Sequence, residues 1–340
     1  MGIPYGEWGH FEAFKDRADL YEWRGHRGIV LDTVGDAQVI HCLSCILNHV
    51  VPLPSEAELD AYYREKFFTE IKPDYITRYE EDREWWAFVH SQTLQQAAAW
   101  LKGEGTEDGT GLSVLDVGTG PGIFLDAAKN LHWEAIGLEP AASRSSALRR
   151  QYAVRGLPVM HATLSGHIAA CARSDIEIVP FDFIHVYEVL EHVREPDVFI
   201  EQCRSLLKPG GILCLVVPND YSVLQMHACR TFGLPRWWLC VPDHLTYFTP
   251  KTLQLLVRRS GFHILDLYGT YPLEQFILTG HNYVGNDVLG RQIHHERCAL
   301  ELAVHAAGLW HIVLNQRRAA MQDPYSGSLG REIVLFARKT

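Results

Sequence analysis

The chain has 340 residues, 47% of them hydrophobic and 11% aromatic, enough to bury a sizeable core and too aromatic for a disordered acidic protein. Its net charge of −10 argues against a general nucleic-acid binder, whose phosphate contacts want a basic surface. No run reaches the roughly 18 apolar residues of a membrane helix, and residues 1–10 lack a basic-then-apolar secretory signal. The expectation is a soluble, cytoplasmic, globular protein with neither nucleic acid nor membrane as partner and with its oligomeric state left open.

In the amino-terminal region Gly28–Leu31 and Ala37–Ile40 read as short strands. Of the eight Cys only Cys42 and Cys45 form a Cys-x-x-Cys pair. A zinc ribbon needs a second pair about 15–20 residues away, and upstream stands Trp23-Arg24-Gly25-His26 without a Cys. The pair therefore reads as a β-hairpin with two ordinary thiols and no metal, although His41 and His49 flank it. Pro52-Leu53-Pro54 breaks the chain, and Ser55 with Glu58 has capping-box form, opening a helix through Tyr63. A longer helix is expected from about Tyr79 to Lys102, followed by a polar, Gly-rich linker over Gly103–Gly111. These signals divide the chain into an amino-terminal cap, 1–104, and a second domain, 105–340.

The sharpest signal follows. Ser113-Val114-Leu115-Asp116-Val117 is an apolar strand running into Gly118-Thr119-Gly120-Pro121-Gly122 and then into the apolar helix that begins Ile123-Phe124-Leu125. Glycines at such a turn permit positive φ and close approach of a ligand to the backbone. A dinucleotide fingerprint, Gly-x-Gly-x-x-Gly, would want its third glycine at 123, which is Ile123. The next strand, Glu134–Leu138, ends in Glu139-Pro140, 21 residues after Gly118. An acid there can accept both hydroxyls of a ribose. Phe181–Tyr187 reads as a buried parallel strand leading into Glu188-Val189-Leu190-Glu191-His192. Lys208-Pro209-Gly210-Gly211 is a turn before the strand Ile212–Val217.

Together these segments resemble the class I S-adenosylmethionine-dependent methyltransferases, over about residues 113–268. More narrowly, Asp243-His244-Leu245-Thr246-Tyr247-Phe248-Thr249-Pro250 with Gly261-Phe262 is similar to the small-molecule branch that includes ubiquinone-type O-methyltransferases and sugar methyltransferases. The stretch from Cys42 to Pro54 also resembles an amino-terminal segment of some bacterial members, but it lacks the first cysteine pair of the zinc-bearing ones. The resemblance implies a Rossmann-like α/β fold: a seven-stranded sheet with helices on both faces and an antiparallel last strand. Phe262–Leu267 would be strand six and Glu332–Ala337 strand seven. Insertions are expected at about 218–241 and 269–330, the second holding a helix from about Asp287 to Leu309.

The resemblance further implies S-adenosylmethionine as cofactor, held by Asp116, Gly118, Thr119, Gly120, Gly122, Glu139, Pro140 and Glu188, and a small polar acceptor, with a sugar, sugar nucleotide or polysaccharide precursor first. His244 is the first candidate base because an imidazole titrates near neutral pH. The match to a Glu-His-x-x-Tyr segment of sugar C-methyltransferases adds Tyr247, and His192 is a second candidate. Asp243 is not assumed to orient His244. The insertions supply candidate acceptor contacts: Asn219, Trp237, Trp238, Asn282 and Tyr283. His294, His295, Glu296, Glu301 and His305 read as a solvated helix face. Eight of the nine Trp lie outside the minimal core, which holds only Trp133. The competing reading is a non-catalytic protein of the same fold that binds the cofactor only.

Overall fold

A computed structural model describes residues 20–63, 74–106, 108–322 and 329–340; Trp8 lies outside them. The amino-terminal strands are β1 (Leu20–Trp23), β2 (His26–Val34), β3 (Ala37–Cys42) and β4 (Asn48–Val51). Three helices follow: α1 (Glu56–Tyr62), α2 (Tyr75–Glu81) and α3 (Arg83–Lys102). The single helix expected from Tyr79 is thus two, separated at Asp82, a buried carboxylate that takes Arg291 Nη1 at 2.6 Å instead of capping α3.

Along the rest of the chain run β5 (Ser113–Val117), α4 (Ile123–Asn130), β6 (Glu134–Leu138), α5 (Ser146–Arg155), β7 (Val159–Met160), α6 (Leu164–Arg173), β8 (Phe181–Tyr187), α7 (Pro196–Leu206) and β9 (Leu207–Pro218). Then come α8 (Val223–Phe232), β10 (Thr246–Tyr247), α9 (Pro250–Arg259), β11 (Phe262–Gly269), α10 (Glu274–Leu278), α11 (Asp287–Ala306), α12 (Trp310–Gln322) and β12 (Glu332–Lys339).

Seven strands form one sheet in the order β11-β12-β9-β8-β5-β6-β7. The contacts β5–β6, β5–β8, β6–β7 and β8–β9 are parallel, and β12 is antiparallel to both its neighbours. The central strands are covered on both faces, so they are apolar runs instead of alternating ones: Val114–Val117 of β5 and Phe183–Val186 of β8 are buried throughout. Helix starts are locally encoded. Ser145 accepts the Leu148 amide, Thr163 the Gly166 amide, and Thr249 and Thr252 form a capping box. The strand order reverses at β5, which lies between β6 and β8. The carboxyl ends of β5 and β8 therefore border the crevice where ligands of open α/β sheets bind.

The second sheet has the order β1-β2-β3-β4-β10. Its fifth strand comes from the far side of the chain: Thr246 pairs with His49 and Tyr247 with Asn48. Trp238, Tyr247 and Met226 pack on Val39 and Val50 of this sheet. The amino-terminal strands are thereby built around the segment that follows β9.

The helical insertion also departs from expectation. The helix expected through Leu309 ends at Ala306, and α12, which the sequence reading did not anticipate, follows. The expected solvated face of α11 holds for His295, Glu296 and His305, which are exposed, but not for Glu301, which is 4% exposed and accepts from Trp85 Nε1 and Arg317 Nη2, both at 2.6 Å. His294 Nε2 lies 3.0 Å from Asp82. Trp85, Trp86, Phe88 and Cys298, with Trp310 beside them, tie α3 to α11 and α12. Most of the aromatic excess that could be located by sequence thus works as packing between the additions and the core. Among the described residues no helix is long and apolar enough to cross a membrane.

Candidate functional site

The turn after β5 is held by its own backbone. Gly118, Gly120 and Gly122 have φ of +81°, +51° and +83°. A Cβ on Gly118 would also fall 2.3 Å from Val189 Cγ2, so the position admits only glycine. The amides of Gly118 and Thr119 donate to Leu138 O at 2.8 and 3.0 Å, and that of Gly122 donates to Thr119 O at 2.9 Å. Asp116, 2% exposed, lies beneath the turn, where it accepts from Thr119 Oγ1 and faces His185 Nδ1 at 2.7 Å. The Tyr152 hydroxyl donates to Gly120 O from α5.

Glu139 closes the other side. Its Oε2 accepts the Gly120 amide at 2.8 Å, and its Oε1 accepts the Ala141 amide at 2.9 Å. Pro140 opens the one-turn helix Pro140–Ser143 that Glu139 caps. The carboxyl is 8% exposed. Burial raises its pKa, and the two amides oppose that rise.

Across the crevice, Glu188 follows β8 with φ +49°, its amide donating to Val216 O at 2.9 Å. The chain then turns through the short 3₁₀ segment Leu190–His192. There the two candidate bases meet: the rings of His192 and His244 are 4.9 Å apart at 85°, and His244 lies 6.3 Å from the Tyr247 ring. Asp243 orients one of them, but it is His192. His192 Nδ1 is 3.1 Å from Asp243 Oδ1 and 2.8 Å from Asp243 O, and the Tyr63 hydroxyl donates to Oδ1 at 2.9 Å. Burial by itself would lower the His192 pKa, but the Asp243 hydrogen bond and the charges of Glu191 and Asp243 win and push it up to about 9. Asp243 is correspondingly lowered, its burial being outweighed by His192.

A second polar group sits beside these, at the ends of β9 and β12. Asp220 is 2% exposed, and its Oδ2 is buried without a hydrogen-bond partner. Burial drives its pKa well up despite the Arg331 charge, with Glu191, Glu274 and Glu188 adding to the rise. Arg331 Nη1 pairs with Glu274 Oε1 at 3.1 Å, while Glu274 Oε2 is buried and unpartnered. The buried Tyr283 hydroxyl faces the Glu274 and Arg331 charges.

Of the residues expected to touch an acceptor, Tyr283 joins this group. Asn219 does something else: its Nδ2 donates to Gly330 O at 2.9 Å and its amide to Arg331 O at 3.0 Å, tying β9 to β12. Trp237 and Trp238 pack 5.2 Å apart against the second sheet, and exposed Asn282 accepts the Val284 amide at 3.0 Å. Asp220, Glu274, Arg331 and Tyr63 were not anticipated. Asp220 had a signal, being the first acid after β9; the other three come from distant segments with none.

A profile of the methyltransferase domain family matches residues 85–267. Ubiquinone biosynthesis O-methyltransferases are similar over about half of the chain. That of Cereibacter sphaeroides is 30% identical over 165 residues, covering 47% of this chain and 63% of the relative. That of Nitrobacter winogradskyi is 33% identical over 163 residues, covering 47% and 59%. The match thus spans less than two thirds of these relatives' length. Among solved structures, a SAM-dependent methyltransferase from Archaeoglobus fulgidus aligns with TM-score 0.45 and 15% identity over 74% of this chain and 94% of that one. With the family profile covering more than half of the chain, the protein belongs to the methyltransferase domain family, within the class I S-adenosylmethionine-dependent methyltransferases.

Proposed function

We propose that the chain transfers a methyl group from S-adenosylmethionine to a hydroxyl of a small polyhydroxylated acceptor, of which a sugar or sugar nucleotide is the first candidate. The observation that carries the reading is the pairing of the Gly118–Gly122 turn with Glu139. The amides of Gly118, Thr119, Gly120 and Gly122 already donate within the protein, and Pro121 has none. Such a turn offers little to a pyrophosphate, which seeks free amides at a helix start. It suits a ligand that wants close backbone approach and hydroxyl recognition. An ionised carboxylate has about four acceptor sites, and two backbone amides occupy only part of the Glu139 set. Both ribose hydroxyls can be accepted there.

When bound, S-adenosylmethionine supplies a methyl carbon already activated by its sulfonium. The protein is left to align donor and acceptor, exclude water and take up the acceptor's proton. His192, held charged beside Asp243, is a poor proton acceptor near neutral pH and acts as a positioning residue. His244, in edge contact with it, is the assigned base, with Tyr247 behind it. Asp220 and Glu274 carry desolvated, unpartnered oxygens; hydroxyl donors of an acceptor satisfy such atoms, and an acceptor lacking them would leave the atoms unpaired. The name carried by the curated relatives, ubiquinone biosynthesis O-methyltransferase, also favours oxygen as the methylated atom.

The test is transfer of labelled methyl to a panel of sugars, sugar nucleotides and catechols, read by mass spectrometry. The expected result is label on a hydroxyl of one class, reduced about 10²-fold or more in His244→Ala. Donor binding without transfer to any member would favour the non-catalytic reading.

A further inference from the structure

We infer that His26, Cys42, Cys45 and His49 form a structural zinc site, distinct from the methyl-transfer crevice and independent of the proposed activity. The reading of Cys42 and Cys45 as two ordinary thiols looked for a second cysteine pair. The fold supplies two histidines in its place, so that the four residues come from three strands and the connection between two of them. His26 opens β2, Cys42 ends β3, Cys45 lies in the β3–β4 connection, and His49 is on β4. One ligand atom from each falls within 4.8 Å of all the others.

The local geometry is that of a metal knuckle. The Cys42 amide donates to Leu47 O, and the Ile46 amide donates to Cys42 O, both at 2.9 Å. Ile46 adopts φ +68°, and the Cys45 amide points at Cys42 Sγ at 3.5 Å. The strand-opening loop is clamped onto this turn by Leu43 N to Arg27 O at 2.7 Å and by Ser44 Oγ to Gly25 O at 3.0 Å.

Two observations point to a cation. First, His26 Nδ1 lies 3.5 Å from Cys42 Sγ. A tetrahedral zinc with bonds of about 2.3 Å to sulfur and about 2.0–2.1 Å to nitrogen sets that edge at about 3.5 Å. Second, His49 is buried, its Nδ1 is 3.0 Å from the Val50 carbonyl, and its Nε2 is buried with no conventional hydrogen-bond partner, facing the Cys42 thiol. An imidazole that gives one N–H to a carbonyl and aims the other nitrogen at a thiol is arranged as metal ligands are. The rings of His26 and His49 approach edge-on, centroids 4.8 Å apart.

Four protein ligands leave no open position, so the site is structural. Its place in the fold gives it a consequence. β4 pairs with β10, the Val50 amide donates to Leu245 O at 2.9 Å, and Cys45 O accepts from Arg259 Nη1 of α9. Metal binding would fix the strand against which the His244–Tyr247 segment lies.

The test is metal analysis of the full chain, purified from zinc-supplemented medium and equilibrated with zinc, together with cobalt substitution of the wild type. About one zinc per chain is expected, with thiolate-to-cobalt charge transfer and tetrahedral d–d absorption. The zinc should be lost in the Cys42→Ser/Cys45→Ser double variant and weakened at least tenfold against a chelator in His26→Ala. The cobalt spectrum is read on wild-type protein, so a misfolded variant leaves the inference testable. Wild-type protein that holds no zinc, or shows no thiolate charge transfer, overturns it. So does zinc retained undiminished by a folded double variant, which would put the metal at Glu191, His192 and His244 or at Asp82, His294 and Cys298. Donor binding and methyl transfer are separate measurements, so neither outcome here decides the proposed function.

Discussion

Asp243 stands next to His244 in the chain, yet its carboxylate bonds His192, 51 residues upstream, at 3.1 Å. The pairing distinguishes two histidines whose rings lie 4.9 Å apart. His192 is held charged by a buried carboxylate that also accepts a tyrosine hydroxyl, and His244 is the base of the proposed reaction.

The pair sets a pH window. His192 has a folded pKa of about 9, above its ordinary value, so its contribution to stability is complete below about pH 6 and disappears as pH rises through 9. Asp243 is lowered, so its contribution is present above the ordinary carboxylate range and disappears as pH falls through its folded value. Removing one member of a buried ion pair costs roughly 3–5 kcal/mol, and His192 retains some exposure, so Asp243→Ala is expected to cost about 2–3 kcal/mol at pH 7. Urea titrations should show that cost shrinking by pH 10. A cost equal at both values would remove the charged pair from the account.

Asp220 predicts the opposite sign. A buried carboxyl whose pKa is raised destabilises the fold as pH climbs past the ordinary carboxylate value. Asp220→Asn should therefore raise the midpoint of thermal unfolding by about 2–4 °C at pH 8 and by less at pH 4, while lowering kcat/KM for the acceptor. A midpoint that falls at pH 8 would mean that Arg331 holds the carboxylate charged.

Gly118→Ala combines a left-handed φ with a methyl 2.3 Å from Val189 Cγ2. The conformation costs about 1–2 kcal/mol and the overlap about 1–3 more. The expected result is a lowered denaturation midpoint together with lost donor binding; wild-type stability would show that the turn relaxes freely.

Much of this was legible in the sequence. The apolar runs of β5 and β8, the glycine turn and Glu139 are local signals, because parallel strands are buried on both faces and sharp turns want glycine. What stayed hidden depends on distance along the chain. His26 and His49 meet the cysteines only after two antiparallel pairings, β2 with β3 and β3 with β4. Arg331 reaches Glu274 across α11 and α12, and Glu301 turns inward only because Trp85 and Arg317 arrive from two other helices. Asn219 was expected among the acceptor contacts of the insertion after β9, but the carbonyl of Gly330, just before β12, takes its side-chain amide.

Glu301 gives a further check. Glu301→Ala would strand Arg317 and the Trp85 N–H in the interior, at a cost of roughly 3–5 kcal/mol. Glu301→Gln keeps an acceptor for Trp85 and should cost clearly less in the same denaturation series. Equal losses would locate the defect in packing instead of in the buried charge.

The central claim is that the Gly118–Gly122 turn and Glu139 together hold an adenosyl ligand through its ribose. Isothermal titration calorimetry of the full chain with S-adenosylmethionine tests it directly. The account predicts one site per chain, with affinity lowered by about 1.5–3 kcal/mol in folded Glu139→Ala, the value of hydrogen bonds to a charged group. Absence of binding by the wild-type protein, or undiminished binding by the variant, would contradict it.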